Sequence, residues 1–110
     1  MQELAGATRG LLRRSFPGAA ERLDASARLI GYGYAPGYKG TVGVLILSQT
    51  GVKIGIVRGA DLPDPRRLMQ GEGKVHRHVP LRTKADLTQP GLRPLLKAAL
   101  AAWRGRDGAH

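Results

Sequence analysis

Two short segments joined by a tight connection constrain the fold of this chain most strongly. Residues 42–47 are almost wholly apolar, as in a central strand that is covered on both faces. Residues 52–56 alternate apolar side chains with Lys53 and Gly55, as in a strand with one buried face. Only a few residues, 49–51 among them, separate the two segments. The pattern therefore predicts an antiparallel pair of strands.

Apolar residues at helical spacing predict a helix near each end of the chain. Residues 2–15 repeat apolar side chains on one face, and residues 19–24 are expected to add one or two further helical turns. The C-terminal helix is expected to be capped by Thr88, with Pro90 in its first turn and Gly105 at its end. Its predicted buried stripe is Leu92, Leu95, Leu96, Ala99, Leu100 and Trp103.

The size and composition of the chain limit the classes of protein that it can form. Its 110 residues fit one domain, which we expect over residues 1–104, followed by a disordered tail at 105–110. The absence of cysteine excludes disulfides, thiolate metal sites and cysteine nucleophiles. No signal peptide and no apolar stretch of about 18 residues is present. We therefore expect a cytoplasmic protein without a membrane partner.

The net charge of +10, from 18 Lys and Arg against 8 Asp and Glu, favours anionic partners. The cations form no dense run, and aromatic residues make up 5% of the chain. Sequence-specific nucleic-acid binding is therefore not expected, because such binders more often interleave basic stripes with aromatic residues.

Glycines, charged residues and two histidines are concentrated in residues 59–81, which we take as the candidate site. Asp64 followed by Pro65 predicts the start of a short helix. Gly71 and Gly73 do not have the spacing of a phosphate-binding P-loop. They are expected to serve turns that require a positive φ.

Alternation over residues 75–81 predicts a strand, and Pro80 places it at an edge of the sheet. Arg77 falls on the apolar side, where Asp61 is the expected partner, because an unpaired buried charge is very costly. The opposite side carries most of the candidate ligand-binding side chains, namely Lys74, His76, His78 and Arg82.

Tyr32 and Tyr38 are two further candidates, since the tyrosines before the central strand could line a pocket or cover a sheet edge. His76 and His78 have a spacing that can place two imidazoles on one metal ion, but the sequence supplies no third ligand. We expect neither a metal site nor a cofactor. No constellation of catalytic residues is apparent, which argues against an enzyme.

An ordered series of short motifs within residues 51–99 resembles the YdhG-like family, a group of small bacterial proteins with a domain of unknown function. The motifs are Gly59-Ala60-Asp61-Leu62, Asp64-Pro65, Leu68-Met69-Gln70-Gly71-Glu72-Gly73-Lys74 and Arg77-His78-Val79-Pro80-Leu81-Arg82. The resemblance implies an α+β domain with a frataxin-like fold, in which N- and C-terminal helices pack on one face of an antiparallel sheet. Some members of the family are called iron chaperones.

The first helix departs from what iron binding of the frataxin type would require. That activity uses an acidic first helix, whereas this helix carries Glu3 against Arg9, Arg13 and Arg14. Three functional hypotheses remain. The first is a non-enzymatic binding module for a small anion or a protein partner. The second is iron delivery, and the third is non-specific nucleic-acid binding through net charge. A homodimer through an exposed sheet edge is compatible with each of them.

Overall fold

The fold is a five-stranded antiparallel meander framed by two helices. The computed structural model describes residues 2–71 and 75–108. Strands pair in the order β1-β2-β3-β4-β5, so each strand lies beside its neighbour in the sequence. The elements are α1 (Gln2–Ser15), β1 (Ala20–Asp24), β2 (Leu29–Gly33), β3 (Thr41–Ser48), β4 (Gly51–Ile56), β5 (Arg77–Leu81) and α2 (Leu92–Trp103).

Both helices pack on one face of this sheet and form a single core with it. Cross-strand partners such as Leu45, Ile54 and Val79 lie in one row on that face and are almost completely buried. From α1, Leu12 and Phe16 enter the same core. The structure therefore confirms the predicted α+β arrangement, with N- and C-terminal helices on one face of an antiparallel sheet.

Two local expectations about this sheet were wrong. Residues 20–24 form the edge strand β1 rather than further helical turns, because Gly18 turns the chain at φ +79° and β1 then pairs with β2. The strand β3 is central but is covered by helices on one face only. Val44 and Ile46 point to the other face and remain half-buried.

The predicted stripe of α2 is confirmed, since all six of its apolar residues are buried. The helix begins later than expected, at Leu92, because Gly91 adopts φ +93°. Thr88 belongs instead to a separate 3₁₀ helix at Lys84–Thr88, where its hydroxyl donates to the carbonyl of Ala85 at 2.9 Å. A π-helical turn at Arg104–Gly108 follows α2. The last two residues of the expected tail at 105–110 lie outside the described residues.

Trp103 ties the end of α2 to the loop that precedes β3. Its indole Nε1 donates to the carbonyl of Lys39 at 2.6 Å. Its ring stacks on Tyr34 with centroids 5.1 Å apart. The Tyr34 hydroxyl in turn donates to the carbonyl of Pro17 at 2.9 Å. These contacts hold α2 against the same side of the sheet as α1. Within the described ranges, no helix has the length and apolar character that crossing a bilayer requires.

Candidate functional site

The face of the sheet opposite the helices, which we call the uncovered face, includes two rows of cross-strand neighbours that span all five strands. The first row is Arg22, Gly31, Val44, Gly55 and His78. The second row is Asp24, Leu29, Ile46, Lys53 and Pro80. Two glycines flank Val44 in the first row, so the surface is depressed on either side of that side chain.

A groove with a volume of about 360 Å³ lies on the uncovered face between β3 and β5. We call it the sheet groove. A Cβ atom at Gly55 would lie 2.6 Å from Cγ2 of Val44, so glycine is what allows Val44 to lean over β4. Six of the residues that line the groove matter for its chemistry: Thr41, Val44, Ile46, Gly55, His76 and His78. None of its described lining residues is acidic.

His78 contributes a half-buried imidazole to the sheet groove. Burial, assisted by the positive charge of Lys53, lowers the pKa of His78 below its ordinary value of 6.5. The neutral imidazole therefore predominates near neutral pH. The backbone of His78 is held by two hydrogen bonds with Gln70, at 2.7 and 3.0 Å, which cover part of the outer edge of β5.

His76 stands next to the sheet groove, immediately before β5. Its Nδ1 accepts a hydrogen bond from the backbone N–H of Arg58 at 3.1 Å. When the imidazole is neutral, this bond places its proton on Nε2, which is then a donor. The backbone of a neighbouring loop thus fixes the orientation of this ring beside the groove.

Arg77 does not pair with Asp61, contrary to the expectation from the sequence. Its guanidinium donates to the backbone carbonyl of Gly71. Asp61 instead accepts from Arg58, with Nη2 and Oδ2 3.1 Å apart, because the 3₁₀ turn Gly59–Asp61 brings positions i and i+3 together. Arg77 therefore holds the preceding loop against β5 through a carbonyl rather than through an ion pair.

Asp64 organises a loop and does not start a helix. Its two carboxylate oxygens accept from the backbone amides of Leu68 and Met69, at 2.9 and 2.8 Å. The chain after Pro65 follows no helical path, since Arg67 adopts φ +52°. The expected helix after Pro65 is therefore absent, and the carboxylate satisfies loop amides in the way an N-cap satisfies helix amides.

Other candidates from the sequence lie away from the sheet groove. Arg82 borders a separate cavity of about 430 Å³ at the outer edge of β5, next to Asp86, which accepts from the backbone N–H of Arg82 at 2.8 Å. Tyr32 points to the helix-covered face, where it is fully buried and its hydroxyl donates to Glu21 at 2.8 Å.

Gly71 adopts φ +118°, as a turn glycine should. Three candidates fall outside what the structure describes, namely Lys74, Gly73 and the side chain of Tyr38.

The structure thus brings together two histidines that the sequence indicated and an apolar floor that it did not. The floor is formed by Val44, Ile46 and Gly55. Gly31 and Gly55 were the available signal, because glycine inside a strand often marks a site where another group approaches closely.

Among the described residues, no group of three or more His, Cys, Asp or Glu side chains is placed to hold a metal ion. No protein-family model, curated protein or solved structure matches this chain. The YdhG-like resemblance therefore stays a prediction, and the function has to be argued from the geometry of the site.

Proposed function

We propose that this protein is a non-enzymatic binding module that takes a small anion with an apolar body into the sheet groove. The observation that carries the proposal is the combination of an apolar floor with basic groups beside it. Val44 and Ile46 provide the floor, and His76, His78 and Lys53 provide the basic groups. The proposal keeps the sequence-based expectation of a cytoplasmic protein.

The size of the sheet groove supports a small ligand. Its volume of about 360 Å³ is near the lower end of the range for small-molecule sites, roughly 300–1,000 Å³. Such sites combine mostly apolar walls with a few polar groups that fix orientation. A short acyl chain or an aromatic ring that carries a carboxylate or a phosphate has both required properties.

Each group beside the groove has a distinct role in this proposal. His76 lines the groove, and the hydrogen bond from the backbone N–H of Arg58 to its Nδ1 fixes its ring beside the position of the anionic group. Lys53 lies in the row next to His78 and supplies a permanent positive charge. His78 gains a positive charge as the pH falls below its lowered pKa, so that affinity for an anion rises in acid.

The experiment is a titration of ¹⁵N-labelled protein with octanoate, followed by NMR. Inorganic phosphate serves as an anion without an apolar body, and 1-octanol as an apolar body without a charge. The proposal predicts saturable shifts at the amides of Val44, Ile46, Gly55 and His78 with octanoate, and weaker responses to the other two probes. Shifts that are equal for all three probes, or that spread over the helices, would contradict it.

A pair of lysine variants separates the sheet groove from general attraction by the net charge. Lys53→Ala removes a cation from the uncovered face, whereas Lys97→Ala removes one that lies between the two helices. We expect Lys53→Ala to weaken octanoate binding about two- to fivefold, the effect of losing an exposed ion pair of up to about 1 kcal/mol. Lys97→Ala should leave the affinity unchanged. Equal losses in both variants would indicate attraction by net charge alone.

A further inference from the structure

The outer edge of the sheet at β1 is the second feature that points to a partner. No described strand pairs with this edge of β1. Leu23, in the middle of the strand, is 74% exposed, the highest value among the large apolar residues of the described chain. An exposed strand edge is a template for pairing with another chain, and the charged side chains of β1 restrict the registers in which it can pair.

A groove of about 360 Å³ lies beside Leu23, on the side of the sheet that the helices occupy. Its lining is largely apolar and includes Ala5, Gly6, Ile30 and Leu47. The space beside Gly6 is open, since a Cβ atom there would come within 4 Å of no atom outside its own stretch of helix. The edge strand therefore presents an exposed leucine next to an apolar space that nothing in the described chain fills.

The sequence of β1 favours one register for pairing with a second copy of itself. In an antiparallel pair, directly opposite residues point to the same face of the sheet. A twofold axis perpendicular to the sheet therefore places one residue of β1, the centre of the register, opposite the same residue of the second copy. A centre at Glu21, Arg22 or Asp24 would set two like charges opposite each other. A centre at Leu23 sets Leu23 against Leu23 of the second copy, and Arg22 against Asp24 on the uncovered face.

The charged groups that this register uses are available for it. Arg22 forms no ion pair with any described residue. The Oδ1 atom of Asp24 accepts from Ser26 and Ala27, at 2.8 and 3.1 Å, and the Asp24 carboxylate forms no ion pair with any described residue. Both Arg22 and Asp24 point away from the helix side.

We propose that two copies of this chain associate through β1, in antiparallel register centred on Leu23, to form one continuous ten-stranded sheet. Symmetric Arg22–Asp24 ion pairs form on the uncovered face, and the two Leu23 side chains cover each other beside the apolar grooves. Because β1 has only five residues, the surface area buried between the two copies lies at the lower end of the range for specific protein–protein interfaces. The dimer therefore dissociates on dilution.

The first test uses the absence of native cysteine, which makes any introduced thiol unique. Leu23→Cys places the two thiols opposite each other across the twofold axis, so mild oxidation should convert most of the protein to a disulfide-linked dimer. Val75→Cys is the control, because Val75 is also exposed, at 43%, but lies outside β1. Equal yields of crosslinked dimer from the two variants would overturn the proposal.

The second test measures association of the cysteine-free chain by sedimentation over a range of concentrations. Arg22→Asp sets two carboxylates opposite each other and should weaken the dimer at least about tenfold. The control Arg93→Asp makes the same charge change on α2. Both changes reduce the net charge of +10, which would favour non-specific association. A monomer at every concentration, or a dimer that Arg22→Asp does not weaken, would overturn the proposal.

Discussion

Arg9 and Glu21 form a two-pronged ion pair between α1 and β1, with nitrogen–oxygen distances of 2.7 and 2.9 Å. The buried hydroxyl of Tyr32 donates to the same carboxylate at 2.8 Å. One carboxylate thus joins the first helix, the edge strand and the second strand. Loss of the Glu21 carboxylate should therefore lower the stability of the fold.

We expect Glu21→Ala to lower the free energy of unfolding by about 1–3 kcal/mol, because the Tyr32 hydroxyl would remain buried without an acceptor. Chemical denaturation followed by circular dichroism measures the change. Arg9→Ala is the matched control. It should cost less than Glu21→Ala, since the side chain of Arg9 is 51% exposed and Tyr32 keeps its acceptor. Equal stability of Glu21→Ala and the wild type would contradict this role.

The same carboxylate predicts how stability depends on acid. The hydrogen bond from Arg9, followed by the one from Tyr32, lowers the pKa of Glu21 from 4.5 to about 2. The unfolded chain therefore takes up this proton first. The contribution of Glu21 is complete above about pH 5 and is lost as the pH falls towards about 2.

Measurements of unfolding free energy between about pH 6 and about pH 2 check this expectation. The stability difference between the wild type and Glu21→Gln should shrink as the pH falls. A residual slope should remain in the variant, because backbone hydrogen bonds also lower the pKa values of Asp24 and Asp86. A difference that is independent of pH would show that Glu21 is not the carboxylate responsible.

Gly55 should be sensitive to the smallest possible side chain. We expect Gly55→Ala to cost about 1–3 kcal/mol of unfolding free energy, because its Cβ would lie 2.6 Å from Val44. Adding Val44→Ala should recover part of the loss, since it removes the methyl group in the way. Gly31→Ala is the control, because its Cβ would meet Val44 at an ordinary 4.0 Å. Additive effects of the two changes at Gly55 and Val44 would contradict the predicted contact.

The loop before β5 should depend on Asp64 and much less on Asp61. Asp64→Ala leaves two loop amides without their acceptor, and we expect a loss of about 1–2 kcal/mol, as for an N-cap. Asp61→Ala removes an exposed ion pair and should cost less than about 1 kcal/mol. Denaturation of both variants gives the comparison. A larger loss of stability in Asp61→Ala than in Asp64→Ala would contradict this account and indicate that Asp61 holds the loop.

The sequence predicted the elements with a strong apolar period, and it failed where partners are set by tertiary structure. The stripe of α2 and the alternation before Leu81 were read correctly, because burial on one face leaves a period in the sequence. The partner of Arg77 could not be predicted, because it is the backbone carbonyl of Gly71 and every residue type has such a carbonyl. Asp64 followed by Pro65 is typical of a helix N-cap, but the amides that the Asp64 carboxylate accepts from belong to a loop and not to a helix.

The candidate site was only half predictable for a related reason. His76 and His78 stood out as polar residues that alternate along one strand. Val44 and Ile46 lay within an apolar run that indicated burial on both faces. Only the placement of both helices on one side shows that these two side chains face outward.

The most direct test of the sheet groove is a set of intermolecular nuclear Overhauser effects between bound octanoate and the protein. The proposed function predicts contacts from the acyl chain to the methyl groups of Val44 and Ile46, and from the carboxylate end to the ring of His76. Contacts confined to the apolar groove beside Leu23, or to methyl groups of α1 and α2, would contradict it.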